Sequence, residues 1–200
     1  LGYLQELGIT TLWLTPLLHS DGSYHGYCTT DPTQIDPGFG TEAELQALVQ
    51  RAHEMKIRVV LDVVINHMCD PQTSYNATPS HTECANGLND NFWHSKAGGV
   101  SSQGSLSFSD DFFPPFRTEE FFNRCGKDTH EDMAGTSPTA IFGDFTGAML
   151  DYDTRNYDFH QIFTALHQYW IAKLDLDGFR LDAAKHVTQD FLAYFSTQAT

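Results

Sequence analysis

The chain has 200 residues, of which 40% are hydrophobic and 13% aromatic, so it can bury a sizeable core. Its formal net charge of -15 argues against binding to nucleic acid and to anionic membrane surfaces, because both require basic patches. No apolar run approaches the ~20 residues that span a bilayer. We therefore expect neither nucleic acid nor a membrane as a partner, and an uncharged substrate instead.

The first predicted elements are a short helix, a strand and a long loop. Leu4 and Leu7 belong to the end of a helix that Gly8 terminates in a left-handed conformation. Residues 9–15 are β-branched and aromatic, which predicts a buried strand ending at Pro16. The loop of roughly two dozen residues that follows exceeds the usual connection length, which indicates a functional loop.

A helix and a second strand come next. Thr41 and Glu44 form a capping box, and apolar residues then recur at helical spacing up to Met55. Residues 57–65 are almost continuously apolar, as expected for a parallel strand that is buried on both faces. The order helix, strand, helix, strand predicts a parallel α/β sheet.

Residues 68–150 show no sustained period and are rich in polar residues, with scattered aromatic pairs. The segment is too long for a plain loop and too aromatic for a disordered linker, so we interpret it as an inserted irregular domain. The predicted division of the chain is therefore 1–67, 68–150 and 151–200.

The four cysteines are Cys28, Cys69, Cys84 and Cys125, which allow three pairings if all are oxidised. A disulfide in the irregular region and buried free thiols are equally good interpretations. A zinc site built from His81, Cys84, Cys125 and His130 is less favoured, since it lacks paired close spacings.

The last part of the chain combines two helices with a strand that carries charge. Residues 158–173 have an apolar stripe at helical spacing, and Thr188 is the predicted cap of a final helix. Between them, Arg180 and Asp182 are two residues apart in a buried strand and therefore lie on one face. An ionised carboxylate held by a guanidinium suits nucleophilic attack on a sugar carbon, whereas the alternative is a solvated charged stretch.

Three motifs resemble those of the α-amylase family, glycoside hydrolase family 13. Their sequences are GFRLDAAKH at 178–186, DVVINH at 62–67 and YHGY at 24–27, in the family's order. The resemblance implies part of a (β/α)8 TIM barrel, about strands 2–4, with domain B inserted after the third barrel strand. In such barrels the catalytic groups gather at the carboxyl ends of the strands.

The resemblance also implies roles for single residues. Asp182 is the expected nucleophile and is held by Arg180. His67 is expected to hydrogen-bond a hydroxyl of the sugar, and Tyr27, supported by His25, to stack beneath its ring. Lys185 and His186 are expected on the leaving side of the cleaved bond.

A structural Ca²⁺ ion is implied as well, since Ca²⁺ prefers carboxylate, amide and carbonyl oxygens. The residues carried over from the family are Asn66, Asp153 and the backbone carbonyl of His186. The segment around Asp153, MLDYDT at 149–154, resembles the family's motif only loosely, and a solvated turn is an equally good interpretation.

The predicted activity is retaining hydrolysis of internal α-1,4-glucosidic bonds in starch-like glucans. Transglycosylation, exo-cleavage and a glucan-binding or partner-binding homologue without catalysis are the alternatives. The family's general acid Glu and its further Asp have no counterpart among these residues, so we expect a fragment that is unstable and inactive by itself. For the full-length protein we expect a monomer in an extracellular or periplasmic location.

Overall fold

Three parallel strands, β1 (Thr11–Leu14), β4 (Arg58–Val64) and β9 (Gly178–Asp182), form the sheet that carries the molecule, in the order β1-β4-β9. The structure is a computed structural model that describes residues 1–20, 22, 24–69, 93–94, 100–101, 113–123, 138–143 and 149–199. Leu14 pairs with Leu61, and Val64 pairs with Asp182. The predicted parallel sheet is confirmed, and the three strands end at the same edge.

The central strand and the edge strands differ in burial. Strand β4 is buried along most of its length, because it has a neighbour on either side. Strand β1 is half exposed, and Trp13 is 59% exposed. Strand β9 is partly buried throughout. The expectation of buried outer strands is therefore wrong for the described residues, since each has a sheet neighbour on one side only.

The helices follow the predicted pattern. They are α1 (Gly2–Glu6), α2 (Glu42–Glu54), the short α3 (Pro138–Phe142), α4 (Tyr157–Leu174) and α5 (Gln189–Gln198). The capping box of α2 is present, with the Thr41 hydroxyl and the Glu44 carboxylate each bonding the other's backbone N–H. Thr188 caps α5 through the N–H of Phe191. Local hydrogen-bonding signals thus place the helix starts.

Two hydrophobic clusters pack against the sheet. One joins α2, β4 and the distal half of α4, with Val49, Leu61 and Trp170 among its buried members. The other joins α4 and α5 to aromatic residues of the 68–150 segment, including Phe116 and Phe122. The described aromatic residues of that segment therefore pack on the helices of the sheet.

Among the described residues, six further strands lie outside the main sheet, in three antiparallel pairs. Strands β2 (Leu18–Ser20) and β3 (Thr29–Ile35) pair antiparallel within the segment that we expected to be an irregular loop, which corrects that expectation. Strands β5 (His67–Cys69) and β8 (Met149–Asp151) also pair antiparallel, and β6 (Trp93–His94) pairs with β7 (Val100–Ser101). Strand β5 spans the start of the predicted inserted domain and β8 spans its end. The β5–β8 pair therefore forms the connection of that domain to the sheet.

A disulfide joins Cys28 to Cys69, so this pair is oxidised rather than free. Cys84 and Cys125, with the His81 and His130 of the zinc hypothesis, lie outside the described residues. Among the helices that the structure describes, none combines the length and apolar character needed to cross a membrane.

Candidate active site

Arg180 and Asp182 lie at the carboxyl end of β9 and face the same side of the sheet, as their spacing predicts. Arg180 Nη1 donates to Asp182 Oδ1 at 2.5 Å. The Asp182 side chain is 24% exposed, so a ligand can reach it. The pair is thus an oriented carboxylate at the mouth of the sheet.

Asp62 connects the side chains of the site to one another, a role that was not expected from the sequence. It lies on β4 opposite Arg180, and its side chain is fully buried. Its carboxylate accepts hydrogen bonds from Arg180 Nη1 (3.1 Å to each oxygen), from Trp13 Nε1 (3.0 Å) and from the Tyr27 hydroxyl (3.0 Å). The signal for it was a carboxylate in a strand whose only other polar residue is Arg58, at its first position, because a buried charge needs partners.

The guanidinium of Arg180 is held from several sides. Burial lowers its pKa, but the hydrogen bonds to Asp182 and Asp62 and their negative charges outweigh burial and raise the pKa of Arg180. Its guanidinium carbon also lies 4.9 Å from the centroid of the Trp13 ring, a cation–π contact. The cation is therefore permanent and fixed in place.

Tyr27 and His25 approach the site from the loop between β2 and β3. Their rings stack with centroids 5.9 Å apart, and the Tyr27 N–H donates to His25 Nδ1 at 3.0 Å. Burial and the hydrogen bond to Asp62 raise the pKa of Tyr27, so its phenol stays neutral. The half-buried Tyr27 ring is thereby held beside Arg180 and Asp182.

His67 lies behind this loop and is buried. Its Nε2 donates to the carbonyl of Tyr27 at 3.1 Å, and its Nδ1 lies 3.3 Å from the amide nitrogen of Asn66. Burial lowers the pKa of His67 to about 4, so the ring is neutral at neutral pH. In this arrangement His67 supports the Tyr27 backbone, and its contact with a sugar hydroxyl stays a prediction.

Lys185 and His186 follow β9 in a 3₁₀ turn and are placed differently from each other. Lys185 is exposed. His186 is buried, and its Nδ1 donates to the carbonyl of Ala140 in α3 at 2.6 Å. The structure therefore brings Asp182, Arg180, Tyr27, His25 and His67 together, whereas it uses the His186 ring to join the sheet to the 68–150 segment.

The candidate metal ligands fit Ca²⁺ only in part. Asn66 Oδ1 is buried and, among the described residues, has no hydrogen-bond partner. A buried amide oxygen of this kind is a suitable ligand for a cation. Asp153 fits poorly, because Arg155 binds both of its carboxylate oxygens, at 2.7 and 2.9 Å. Within the described ranges, no group of three His, Cys, Asp or Glu side chains is arranged to hold a metal ion.

Comparison with known proteins supports the motif resemblance. The family described as "Alpha amylase, catalytic domain" matches residues 1–197. The chain is 30% identical over 191 residues to α-amylase 3 of Dictyoglomus thermophilum, and the matched region covers 95% of this chain and 32% of that protein. It is 31% identical to a cyclomaltodextrinase of Geobacillus thermopakistaniensis, covering 98% of this chain and 27% of that protein. The chain thus spans about a third or less of these relatives.

Solved structures agree in fold. A crystal structure of an Anoxybacillus α-amylase superimposes with a TM-score of 0.69 at 25% identity, covering 99% of this chain and 35% of that one. An α-amylase from Malbranchea cinnamomea gives a TM-score of 0.71 at 22% identity, covering 99% and 37%, and this likeness shows the fold alone. The expected α/β class and partial barrel are confirmed. The chain belongs to the α-amylase family, glycoside hydrolase family 13, and matches its catalytic domain.

Proposed function

We propose that the full-length protein hydrolyses internal α-1,4-glucosidic bonds of starch-like glucans with retention, and that Asp182 is its nucleophile. The observation that carries the proposal is the fixed Arg180–Asp182 pair, braced from beneath by the buried Asp62. Relatives named as α-amylases and cyclomaltodextrinases support an α-glucan substrate. Transfer to another sugar instead of water is the alternative within the family.

The geometry suggests which atom of Asp182 reacts. Arg180 holds Oδ1, and among the described residues no group bonds Oδ2. In the proposed step Oδ2 attacks the anomeric carbon, the bond to the leaving glucan oxygen breaks, and a covalent glycosyl-enzyme forms. The leaving oxygen takes its proton from a second carboxyl group, the family's Glu, in the rest of the full-length protein.

The surrounding side chains prepare Asp182 for this step. Arg180 orients the carboxylate before substrate arrives, which lowers the reorganisation needed at the transition state. Because Asp62 shares the guanidinium, the positive charge does not belong to Asp182 alone, and the nucleophile keeps part of its reactivity. The Tyr27 ring offers an apolar face to a sugar.

We also propose a structural Ca²⁺ ion with Asn66 Oδ1 and the backbone carbonyl of His186 among its ligands. The orphaned amide oxygen of Asn66 supports it. Asp151 is a better carboxylate candidate than Asp153, because it is buried and lies opposite His67 in the β5–β8 pair, next to Asn66. Its Oδ2 accepts from the neutral Asn123 amide at 2.6 Å, whereas a cation, Arg155, binds Asp153. When bound, the ion would supply positive charge that joins the 68–150 segment to the sheet.

An extracellular or periplasmic location is proposed on the Cys28–Cys69 disulfide, since such bonds persist in oxidising compartments. The expected monomer stays a prediction.

The test is starch hydrolysis by the full-length protein beside its Asp182→Asn variant. Loss of a covalent nucleophile with the fold intact should lower kcat by at least ~10³-fold. Asp158→Asn is the control, because Asp158 is an exposed carboxylate in the first turn of α4. Activity retained in Asp182→Asn would remove Asp182 from the mechanism, and an inactive wild type would favour a glucan-binding homologue without catalysis.

A further inference from the structure

We infer that the Cys28–Cys69 disulfide is a positioning device for Tyr27, the aromatic residue beside the nucleophile. The inference rests on the function proposed above, because it assigns the disulfide a part in glucan recognition. The covalent link acts on substrate binding through Tyr27, beyond any effect on the stability of the fold.

The disulfide joins two parts of the chain that belong to different sheets. Cys28 immediately precedes β3, Cys69 is the last residue of β5, and 41 residues separate them in sequence. β3 pairs with β2, and β5 pairs with β8, so no strand ladder connects them. Both cysteines are buried, with 6% and 1% exposure. The covalent bond therefore replaces ladder hydrogen bonds between the loop and the connection to the 68–150 segment.

The positions of the two cysteines relative to the site are specific. Cys28 is the neighbour of Tyr27, and Cys69 lies two residues beyond His67. His67 Nε2 donates to the Tyr27 carbonyl at 3.1 Å. The disulfide and this hydrogen bond thus form two adjacent links between the same two segments, and the first preserves the distance that the second needs.

The other side of Tyr27 is held by Gly26. This residue has φ +74°, a left-handed conformation, and a Cβ here would collide with the carbonyl oxygen of the buried Pro16. The backbone therefore lies against Pro16 before Tyr27 and is covalently bound after it. Because the Tyr27 hydroxyl is also bonded to Asp62, both the backbone of Tyr27 and the far end of its side chain are fixed.

A disulfide far from any site stabilises chiefly by restricting the unfolded chain. Such a bond would change the rate of hydrolysis only through the folded fraction, and equally whether or not residue 27 carries an aromatic ring. A positioning role predicts the opposite, because its effect disappears when the ring is absent. This difference makes the two roles separable by experiment.

The experiment is a double-mutant cycle in the full-length protein. The pair Cys28→Ala with Cys69→Ala is made in the wild type and in Tyr27→Ala, and kcat and KM are measured on a linear α-1,4-glucan oligosaccharide well below the melting temperature. We expect kcat/KM to fall about tenfold in the wild-type background, mainly through KM, since small misplacement of a binding group has large effects. In Tyr27→Ala the same pair should change kcat/KM by less than about twofold, because the coupled partner is absent.

Equal losses in the two backgrounds would overturn the inference, as would no loss in the wild type. Val49→Ala is the stability control, because it removes buried side-chain atoms of α2 from the hydrophobic cluster and does not touch the site. Its KM should stay unchanged although its melting temperature falls. If the alanine pair does not accumulate as folded protein, the same cycle is run by reducing the wild type and Tyr27→Ala with a phosphine.

A second measurement does not depend on activity. Amide hydrogen exchange is compared between the wild type and the alanine pair, with faster exchange expected in peptides covering residues 24–30 and 64–69. Peptides from α2 serve as the internal reference. If the wild type hydrolyses no glucan, the proposed function fails while this measurement still decides whether the disulfide fixes Tyr27. Unchanged exchange at 24–30 would overturn the positioning role in an active enzyme.

Discussion

The hydroxyl of Tyr27 and the carboxylate of Asp62 lie 3.0 Å apart, across 35 residues of chain. This bond connects a loop that faces the site to the buried strand at its base. Asp62 also holds Arg180, which in turn holds Asp182. Tyr27 and the proposed nucleophile Asp182 are therefore positioned by one carboxylate, and a change at either residue should affect the other.

Removing the Tyr27 hydroxyl tests this connection. In Tyr27→Phe the ring remains, but Asp62 loses one of its donors, so we expect stability to fall by about 1 kcal/mol. We expect kcat/KM on an α-glucan oligosaccharide to fall by about three- to tenfold, as the ring loses one anchor.

The matched control is Tyr24→Phe, because Tyr24 lies in the same loop and is 92% exposed. It should match the wild type in melting temperature and in kcat/KM. If the two phenylalanine variants behave alike, the bond to Asp62 contributes nothing to the site.

Asp62→Asn should be more damaging than any single change around it. The variant keeps size but removes a buried charge that pairs with Arg180, so we expect about 3–5 kcal/mol of destabilisation. Urea unfolding at neutral pH measures it. Asp158→Asn replaces an exposed carboxylate in the first turn of α4. It should lower the free energy of unfolding by less than about 1 kcal/mol, because it removes only a favourable interaction with the helix dipole. A loss for Asp62→Asn no larger than this control would contradict the role of Asp62 as the base of the site.

Stability should fall on the acid side because of buried histidines. Burial lowers the pKa of both His67 and His167 to about 4, from an ordinary value of 6.5. Their folded-state pKa values lie below the unfolded values, so between pH 6.5 and about 4 the unfolded chain binds protons that the folded chain does not. Each of these histidines then lowers the free energy of unfolding by up to about 1.4 kcal/mol for every unit by which the pH falls.

His167→Gln isolates one of these groups, since His167 lies on α4 and its Nδ1 donates to the carbonyl of Phe163. The variant should be less stable at pH 7, because the ring packs against Phe163. Its stability should nevertheless decline less steeply than that of the wild type between pH 6.5 and pH 5, as followed by urea midpoints. Parallel declines would show that His167 takes up its proton in the folded state.

The proposed Ca²⁺ site predicts a response to chelation. Chelator should lower the melting temperature of the wild-type full-length protein, and Asn66→Ala should abolish the difference between chelator and Ca²⁺. Asp153→Asn should keep that difference, because Arg155 already binds the Asp153 carboxylate. Elemental analysis of the purified protein measures the ion directly. Absence of calcium together with an unchanged melt would remove the metal from the proposal.

Much of the framework could be predicted from local patterns. The capping box at Thr41 and Glu44 and the apolar run of β4 each depend on residues close in sequence. So does the common face of Arg180 and Asp182, since alternation along a strand decides it. These patterns, with the family motifs, sufficed to place the proposed nucleophile and the guanidinium of Arg180 at a strand end.

The remaining features required contacts between distant residues. Two features cannot be derived from spacing: which cysteine pairs with Cys28, and that Asp62 accepts hydrogen bonds from Trp13, Tyr27 and Arg180 at once. The partners are separated by 35 to 118 residues of chain. The burial of His186 against Ala140 and the pairing of Asp153 with Arg155 were likewise decided by packing. By itself the sequence determined the main helices, the three parallel strands and the chemical groups they carry, but not the pairing of β2 with β3. Only the tertiary structure decided how those groups share charge and hydrogen bonds, since side chains compete for partners in space rather than along the chain.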